Sequence, residues 1–558
     1  MSKTLSTPSP ATPLPATACA RSPARPSGGG HWLAALGAGL LAGLGGGFVM
    51  TVVMTLLRLL AGVPLPGELG ADRFLPLLPV FTFLNTINRF GGNVQAKELA
   101  FWSGFAGQVA LGAALGVVYA AIVERERGRA PERRWTFGVN RRGATFVAVV
   151  VAVLWIVTLA VFWPVLAANF KGVAPGWNVV VTVVGLLVSY ASYGLALVLI
   201  YRAMTSRAPL RLPAPVGPVL GRRAILAGGV GVVAALASGE LVRALFQRGT
   251  FGYDGIQYIN PAMQPITPIE HFYSVTKNLV DPAVAKDVWR LDVAGLVDRP
   301  HTYDFAGIAA LPSVTQTMTL ECISNPVGGG LMGNAVWKGV PLRAVIEAAG
   351  PKAGVVEVLL HAADGYKHTV AFDKAMEPTT VLAYEMNGVT LPQRHGYPVR
   401  LLVPGYYGEG SVKWITRVEL LDHSVEYTED YYGQQGWRDR HVHTWSRFDY
   451  PRMGDTIKLA GTTMASVHGT AFAGDRGISK VEVSVDGGHT WHEAEITYHP
   501  SRLAWAFWRY DWRPAGPGAY HLLVRATDGH GTLQETTMRI APPQGSSGYQ
   551  RVSVRVEA

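Results

Sequence analysis

Cysteine is almost missing. The 558-residue chain has two, Cys19 and Cys322, too few for a disulfide framework or a four-thiolate zinc or iron–sulfur site. Charge is scarce as well. Asp, Glu, Lys and Arg make up 16% of the residues, against about 25% in soluble chains. Hydrophobic residues reach 49%. That balance excludes a disordered or collagen-like chain and argues against one that is soluble throughout. Histidine is absent from every long apolar run, and His31 stands only at the entrance of the first. A haem held by two histidines within those runs is therefore not expected. The formal charge is +10. Cytoplasmic loops of a membrane protein account for such an excess, so nucleic-acid binding is not expected.

What is present falls into two textures. Residues 1–30 are rich in Pro, Ala and Ser and read as a disordered tail. Cys19 lies in it with no apolar run before it, and is not read as a lipidation site. Apolar runs follow at about 33–60, 98–123, 144–168, 179–201 and 224–246. Each is near or above the ~20 residues that cross ~30 Å of hydrocarbon. They predict an α-helical transmembrane domain of about five spans over 31–248. The Pro-broken stretch 74–90 is too interrupted for a span and reads as an interfacial or re-entrant piece.

Loop charge orients these spans. The loop 124–143 carries Arg125, Arg127, Arg129, Arg133, Arg134, Arg141 and Arg142, and the loop 202–223 carries Arg202, Arg207, Arg211, Arg222 and Arg223. Between them, the loop 169–178 has only Lys171. Positive loops stay in the cytoplasm. The expectation is a multi-pass protein of the cytoplasmic membrane, in contact with lipid, with everything after about 246 outside. Arg222 and Arg223 read first as positive flanks, with a twin-arginine export signal as the alternative. Glu240 and Arg243, spaced i, i+3, read as an interfacial pair.

The second half is soluble in character. WRLDVAGLV, VVEVLLHAA and VRLLVPG read as strands, and LRAVIEAAG as a short helix closed by Gly350. This predicts an α+β domain over 249–450. Short strands with Gly-rich turns, SVDGGHTW among them, predict a β-sandwich of immunoglobulin-like type over 451–558.

Cys322 ends an apolar strand in MTLECISNPVGGG. A lone cysteine there is ordinarily a small buried apolar residue. Metal ligation is one functional alternative, and nucleophilic catalysis with His361, His368 or His395 is another, although no Cys-His protease signature accompanies them.

Over about 255–558 the chain resembles the sulfite oxidase family of molybdopterin enzymes. The resemblance rests on LECISN with WKGVPLRAVIEAAG, on ADGYKHTVAFDKAM, and on VLAYEMNGVTLPQRHGYPVRLLVPGYYGEGSVKWITRVEL. DGGHTW and AWAFWRYDW resemble the family's dimerisation domain, which implies a possible homodimer. The membrane half has no part in the resemblance.

The resemblance implies one molybdenum–molybdopterin per chain, with Cys322 as metal ligand. A single soft thiolate suffices where the pterin dithiolene supplies the other sulfurs. Arg400, Lys413, His395 and Ser411 would hold the pterin phosphate. Tyr366 would stand beside the metal. The entry segment FYSVTKNLVDP looks closer to the periplasmic methionine-sulfoxide reductase branch, and brings Tyr273 and Ser274 to the cofactor.

Departures concern the substrate. Where the family places arginines for a small dianion, this chain has Lys277, and Pro326 after Asn325, with Arg502 or Arg509 as loose candidates for a third. The implied activity is two-electron oxygen-atom transfer, oxidising sulfite or a related small substrate toward an unidentified electron acceptor. The alternatives are a sulfoxide reductase of the same cofactor class, and a transport or sensor protein with a cofactor-free outer domain.

Overall fold

The computed structural model describes residues 28–129, 141–205, 222–259, 262–437, 440–459, 463–539 and 541–557. The N-terminal tail with Cys19, and most of both arginine-rich loops, lie outside the described residues.

The first half is helical: α1 (Gly28–Ala61), α2 (Pro66–Phe74), α3 (Val80–Arg89), α4 (Asn93–Arg129), α5 (Arg141–Phe162), α6 (Pro175–Thr205) and α7 (Arg222–Gln247). Among the described residues, four helical stretches are long and apolar enough to cross a membrane: Trp32–Ala61, Asn93–Glu126, Arg141–Val165 and Pro175–Thr205. The fifth expected run falls within α7. Small residues allow α1 and α4 to meet backbone to backbone. A β-carbon at Gly43 would overlap the Gly112 carbonyl oxygen, and one at Gly116 the Gly39 carbonyl oxygen.

The stretch 74–90 forms no long helix. It ends α2 and builds α3, and it docks on the second half. The Val80 amide donates to the Gln435 carbonyl, the Gln435 side-chain amide donates to the Leu75 carbonyl, and Val80 packs with Trp437 and Trp445. Its prolines break the helix; Val80 packs against the second half, while Phe74, Leu77, Phe81 and Phe90 stay about half exposed or more.

The second half begins with strands β1 (Leu291–Gly295), β2 (His301–Tyr303), β3 (Val314–Glu321), β4 (Met332–Pro341), β5 (Glu357–Ala362), β6 (Lys367–Ala371), β7 (Val381–Met386), β8 (Val389–Thr390), β9 (Arg400–Leu402) and β10 (Ile415–Leu421). One sheet runs in the order β2-β1-β10-β5-β6, the other β3-β4-β7-β8, with β9 paired to β7. Only β1 and β10 run parallel; the other ladders are antiparallel. Val293, Leu360, Leu382, Leu401 and Val418 share one core with the helix Leu342–Ala349. Gly350 closes that helix at φ 66°, a left-handed cap that disfavours a side chain.

From Trp445 on, sheets of four and five strands face one another over a common core of Val467, Val481, Trp508, Val524 and Val554.

Candidate active site

The site grows from three loops and one strand end. After β3 the chain turns at Cys322, and its amide donates to the Leu331 carbonyl. Asn325 locks this turn, donating to Glu321 and accepting from the Leu331 amide. The thiol lies 3.0 Å from the Ser324 hydroxyl. Burial pushes it up to about 11, against the pull of that contact. A thiol so placed stays protonated at neutral pH unless a cation draws the proton off.

None of the three histidines weighed as its base is set for that role. His361 pairs with Glu419, and His368 lies 2.8 Å from Asp430. His395 accepts from Arg394, and burial together with Arg400, Arg394 and Lys413 drives its pKa down to about 2.

The tight turn between β5 and β6 presents Tyr366, whose hydroxyl donates to the Glu409 carbonyl at 3.1 Å. Burial and the nearby Asp430 hold this phenol well above its ordinary range, so it keeps its proton.

Arg400 opens β9 and donates to the His395 and Ser411 carbonyls. Lys413 donates to the Val275 and Arg394 carbonyls and lies over the Trp414 ring. Burial lowers both cations, Arg400 to about 10. Among the described residues, neither stands within ion-pair distance of a carboxylate. The Nε of Arg400 and the Oγ of Ser274 are buried with no hydrogen-bond partner. Two buried cations without counter-ions and two orphaned donors form a set that is costly alone. A phosphate answers it, so these residues fit a phosphate-bearing cofactor.

All the residues singled out from the sequence, Cys322, Tyr366, Lys277, Tyr273, Ser274, His395, Arg400, Ser411 and Lys413, line one cleft of about 790 Å³. Asp364, Glu409 and Tyr432 line it too and were not foreseen. Asp364 sits inside the ADG turn and accepts from Asn278 and from the Tyr366 amide. That Asx turn is the signal that would have found it.

Lys277 departs from its expected role as a free anion receptor. Its ammonium is 2.5 Å from Asp72 on α2 and donates to the Asp364 carbonyl. Although burial opposes it, Asp72 and Asp364 hold this ammonium above its ordinary range. Burial also pushes Asp72 up, to about 6, against the pull of Lys277. The charge of Lys277 is thus already matched by the helical half. Arg502 donates to the Asp475 carbonyl, Arg509 pairs with Asp511, and neither lines the cleft, nor does Pro326.

Two family models match the second half. The oxidoreductase molybdopterin binding domain covers residues 278–428, and the Mo-co oxidoreductase dimerisation domain covers residues 440–554. The chain is 28% identical to a sulfite oxidase of Arabidopsis thaliana over 42% of its own length and 72% of the relative's. It is 30% identical to the mitochondrial sulfite oxidase of Rattus norvegicus over 52% of its length and 62% of the relative's. A nitrate reductase [NADH] of Solanum lycopersicum is 28% identical over 47% of this chain, which spans 35% of that protein. This chain thus covers less than two thirds of the rat and tomato proteins. By these matches its second half is a molybdopterin oxidoreductase unit.

Proposed function

We propose that this chain is a membrane-anchored, extracytoplasmic oxidoreductase that binds one molybdenum–molybdopterin and carries out two-electron oxygen-atom transfer, oxidising sulfite or a related small substrate. The observation that carries this reading is the cleft itself. It is lined by one thiol, Cys322, and by the buried cations Arg400 and Lys413, neither of which has a carboxylate within ion-pair distance among the described residues.

The cofactor, when bound, supplies the oxygen-transfer and redox chemistry. Cys322 would hold the metal through its thiolate. Arg400, Lys413, Ser411 and neutral His395 would hold the pterin phosphate, with Tyr273 and Ser274 against the pterin. Tyr366 keeps its proton, which rests on the Glu409 carbonyl, and would turn it toward a substrate oxygen. Asp364 orients the Tyr366 turn through the backbone amide.

The arrangement of helix ends supports the membrane reading. Arg58 near the end of α1, Lys97 at the start of α4, the 166–174 connection and the residues just after α7 all adjoin the second half. The arginine-rich loops follow the opposite ends of α4 and α6. The sandwich, which we read as immunoglobulin-like, is the candidate surface for a homodimer.

The neutralised Lys277 favours a second reading. A cleft whose substrate-side cation is already paired suits a neutral oxygen donor better than a dianion. A sulfoxide reductase of the same cofactor class therefore stands second.

The test is elemental and pterin analysis of the detergent-purified chain, followed by turnover with sulfite and with several sulfoxides. Stoichiometric molybdenum with sulfite-dependent reduction of ferricyanide is the expected result. Protein that expresses and folds in a molybdopterin-producing host without metal or pterin would overturn it.

A further inference from the structure

The helical half holds a second cavity, of about 870 Å³. Its walls are predominantly apolar and include Met50, Met54, Phe101, Phe105, Leu115 and Leu154. It opens between helices onto an outer face, where Leu111 and Trp102 are about half exposed. Gly104 lies at this opening, and a β-carbon built there meets nothing within 4 Å.

Glu68, Gln108, Tyr190 and Tyr193 bring polar groups to it; Glu68 is spent on Arg58, and the Tyr193 hydroxyl donates to the Gly112 carbonyl. Thr158 gives its proton to the Leu154 carbonyl, so Tyr190 donates to Thr158 at 2.9 Å and keeps oxygen lone pairs for a donor. The Gln108 amide spends one N–H on Thr51 and retains another for an acceptor.

The cavity adjoins the active-site cleft through a thin wall. Glu68 lines the cavity, and Asp72, one turn further along α2, grips Lys277 in the cleft. On the other side of that wall Thr276 and Lys277 line the cleft, and Leu279 lines the cavity. Arg58 clamps this segment, bonding both Glu68 and the Val280 carbonyl.

We propose that this cavity binds the head group of a lipid-soluble quinone that exchanges electrons with the cleft. The proposal rests on the oxidoreductase and membrane readings above. An apolar, laterally open chamber with one donor and one acceptor suits a flat, apolar ring whose carbonyl oxygen accepts from Gln108 and whose opposite oxygen, once reduced to a hydroxyl, donates to Tyr190. The reaction balances. Oxidising a substrate with the oxygen of water releases two electrons and two protons, and a quinone takes up both pairs as its two carbonyls become hydroxyls. The spans that line the cavity contain no histidine to hold an intervening haem.

The test uses the full chain in lipid nanodiscs with decyl-ubiquinone as probe. Saturable binding of one probe per chain is expected, weakened at least about tenfold by Gly104→Leu, which fills the entrance with a better helix former. Gln108→Leu should weaken it less. In the metal-loaded chain, Gly104→Leu should lower quinone-dependent turnover while ferricyanide-dependent turnover stays unchanged. Binding that is absent, or insensitive to Gly104→Leu, would overturn the site, as would a cavity occupied by phospholipid that the probe does not displace. A chain that binds the probe but turns over with neither acceptor would instead overturn the activity reading.

Discussion

At the scale of single residues, burial decides the roles. Cys322 is a high-pKa thiol that none of His361, His368 and His395 is set to deprotonate, so a metal is the partner its surroundings suit. Cys322→Ser replaces soft sulfur with hard oxygen. Turnover should be lost while pterin is retained through Arg400 and Lys413, as released-pterin fluorescence would show; near wild-type turnover would return Cys322 to simple packing. His395 makes a second case. Burial and the cations Arg400, Arg394 and Lys413 hold it neutral. Below about 6.5 the unfolded chain binds a proton there that the native chain refuses, so stability falls as pH drops through that value. Cofactor-free protein should lose stability by up to about 1.4 kcal/mol per pH unit through this group. Denaturant melts of His395→Gln, which removes the titration, should show a shallower slope between pH 6.5 and 5.

At the scale of elements, α2 ties the two halves together. Nine residues place Glu68 against one cavity and Asp72 against the other. Asp72→Asn leaves Lys277 as a free cation in the cleft. A charge-assisted contact is worth about 1.5–3 kcal/mol, so the Michaelis constant for sulfite should fall about ten- to a hundred-fold with kcat little changed. The same variant should melt lower without sulfite and recover partly with it, because the dianion replaces the lost counter-charge. An unchanged Michaelis constant would show that Lys277 does not face the substrate.

Much of this was legible in the sequence. The signature around Arg400, Ser411 and Lys413 names residues that fold onto one strand and its return loop, so local spacing carries them to one place. Strand alternation and Gly350 likewise mark β1, β5 and the helix Leu342–Ala349. Asp72 was not legible. It meets Lys277 across 205 residues of chain, and no periodicity or spacing encodes such a contact. The docking of 74–90 was not legible either, because its partner Gln435 lies far away in the chain.

At the scale of the whole molecule, the halves are bound by buried polar contacts. Lys97 on α4 bonds Asp254 and the carbonyls of Thr276 and Asn278. Arg58 holds the Val280 carbonyl, Asp72 holds Lys277, and the Asn169 amide donates to the Ala363 carbonyl. The segment from Asp254 to Val280 carries Tyr273 and Ser274 into the cleft, and it is gripped from the helical side. Removing residues 1–248 would strand Asp254 and Lys277 as unpaired charges. Breaking a buried pair costs about 3–5 kcal/mol, and whole domains are stable by only about 5–15 kcal/mol. The expected outcome for residues 249–558 alone is local unfolding of that segment, since the rest of the domain keeps its own core. Limited proteolysis should then cut between Asp254 and Val280 in the truncated chain but not in the full one, and pterin content should fall with it. Asp254→Asn together with Lys277→Met should restore part of the protection, because neither stranded charge remains. Equal protease resistance of the truncated and full chains would show that the helical half anchors the enzyme without shaping its site.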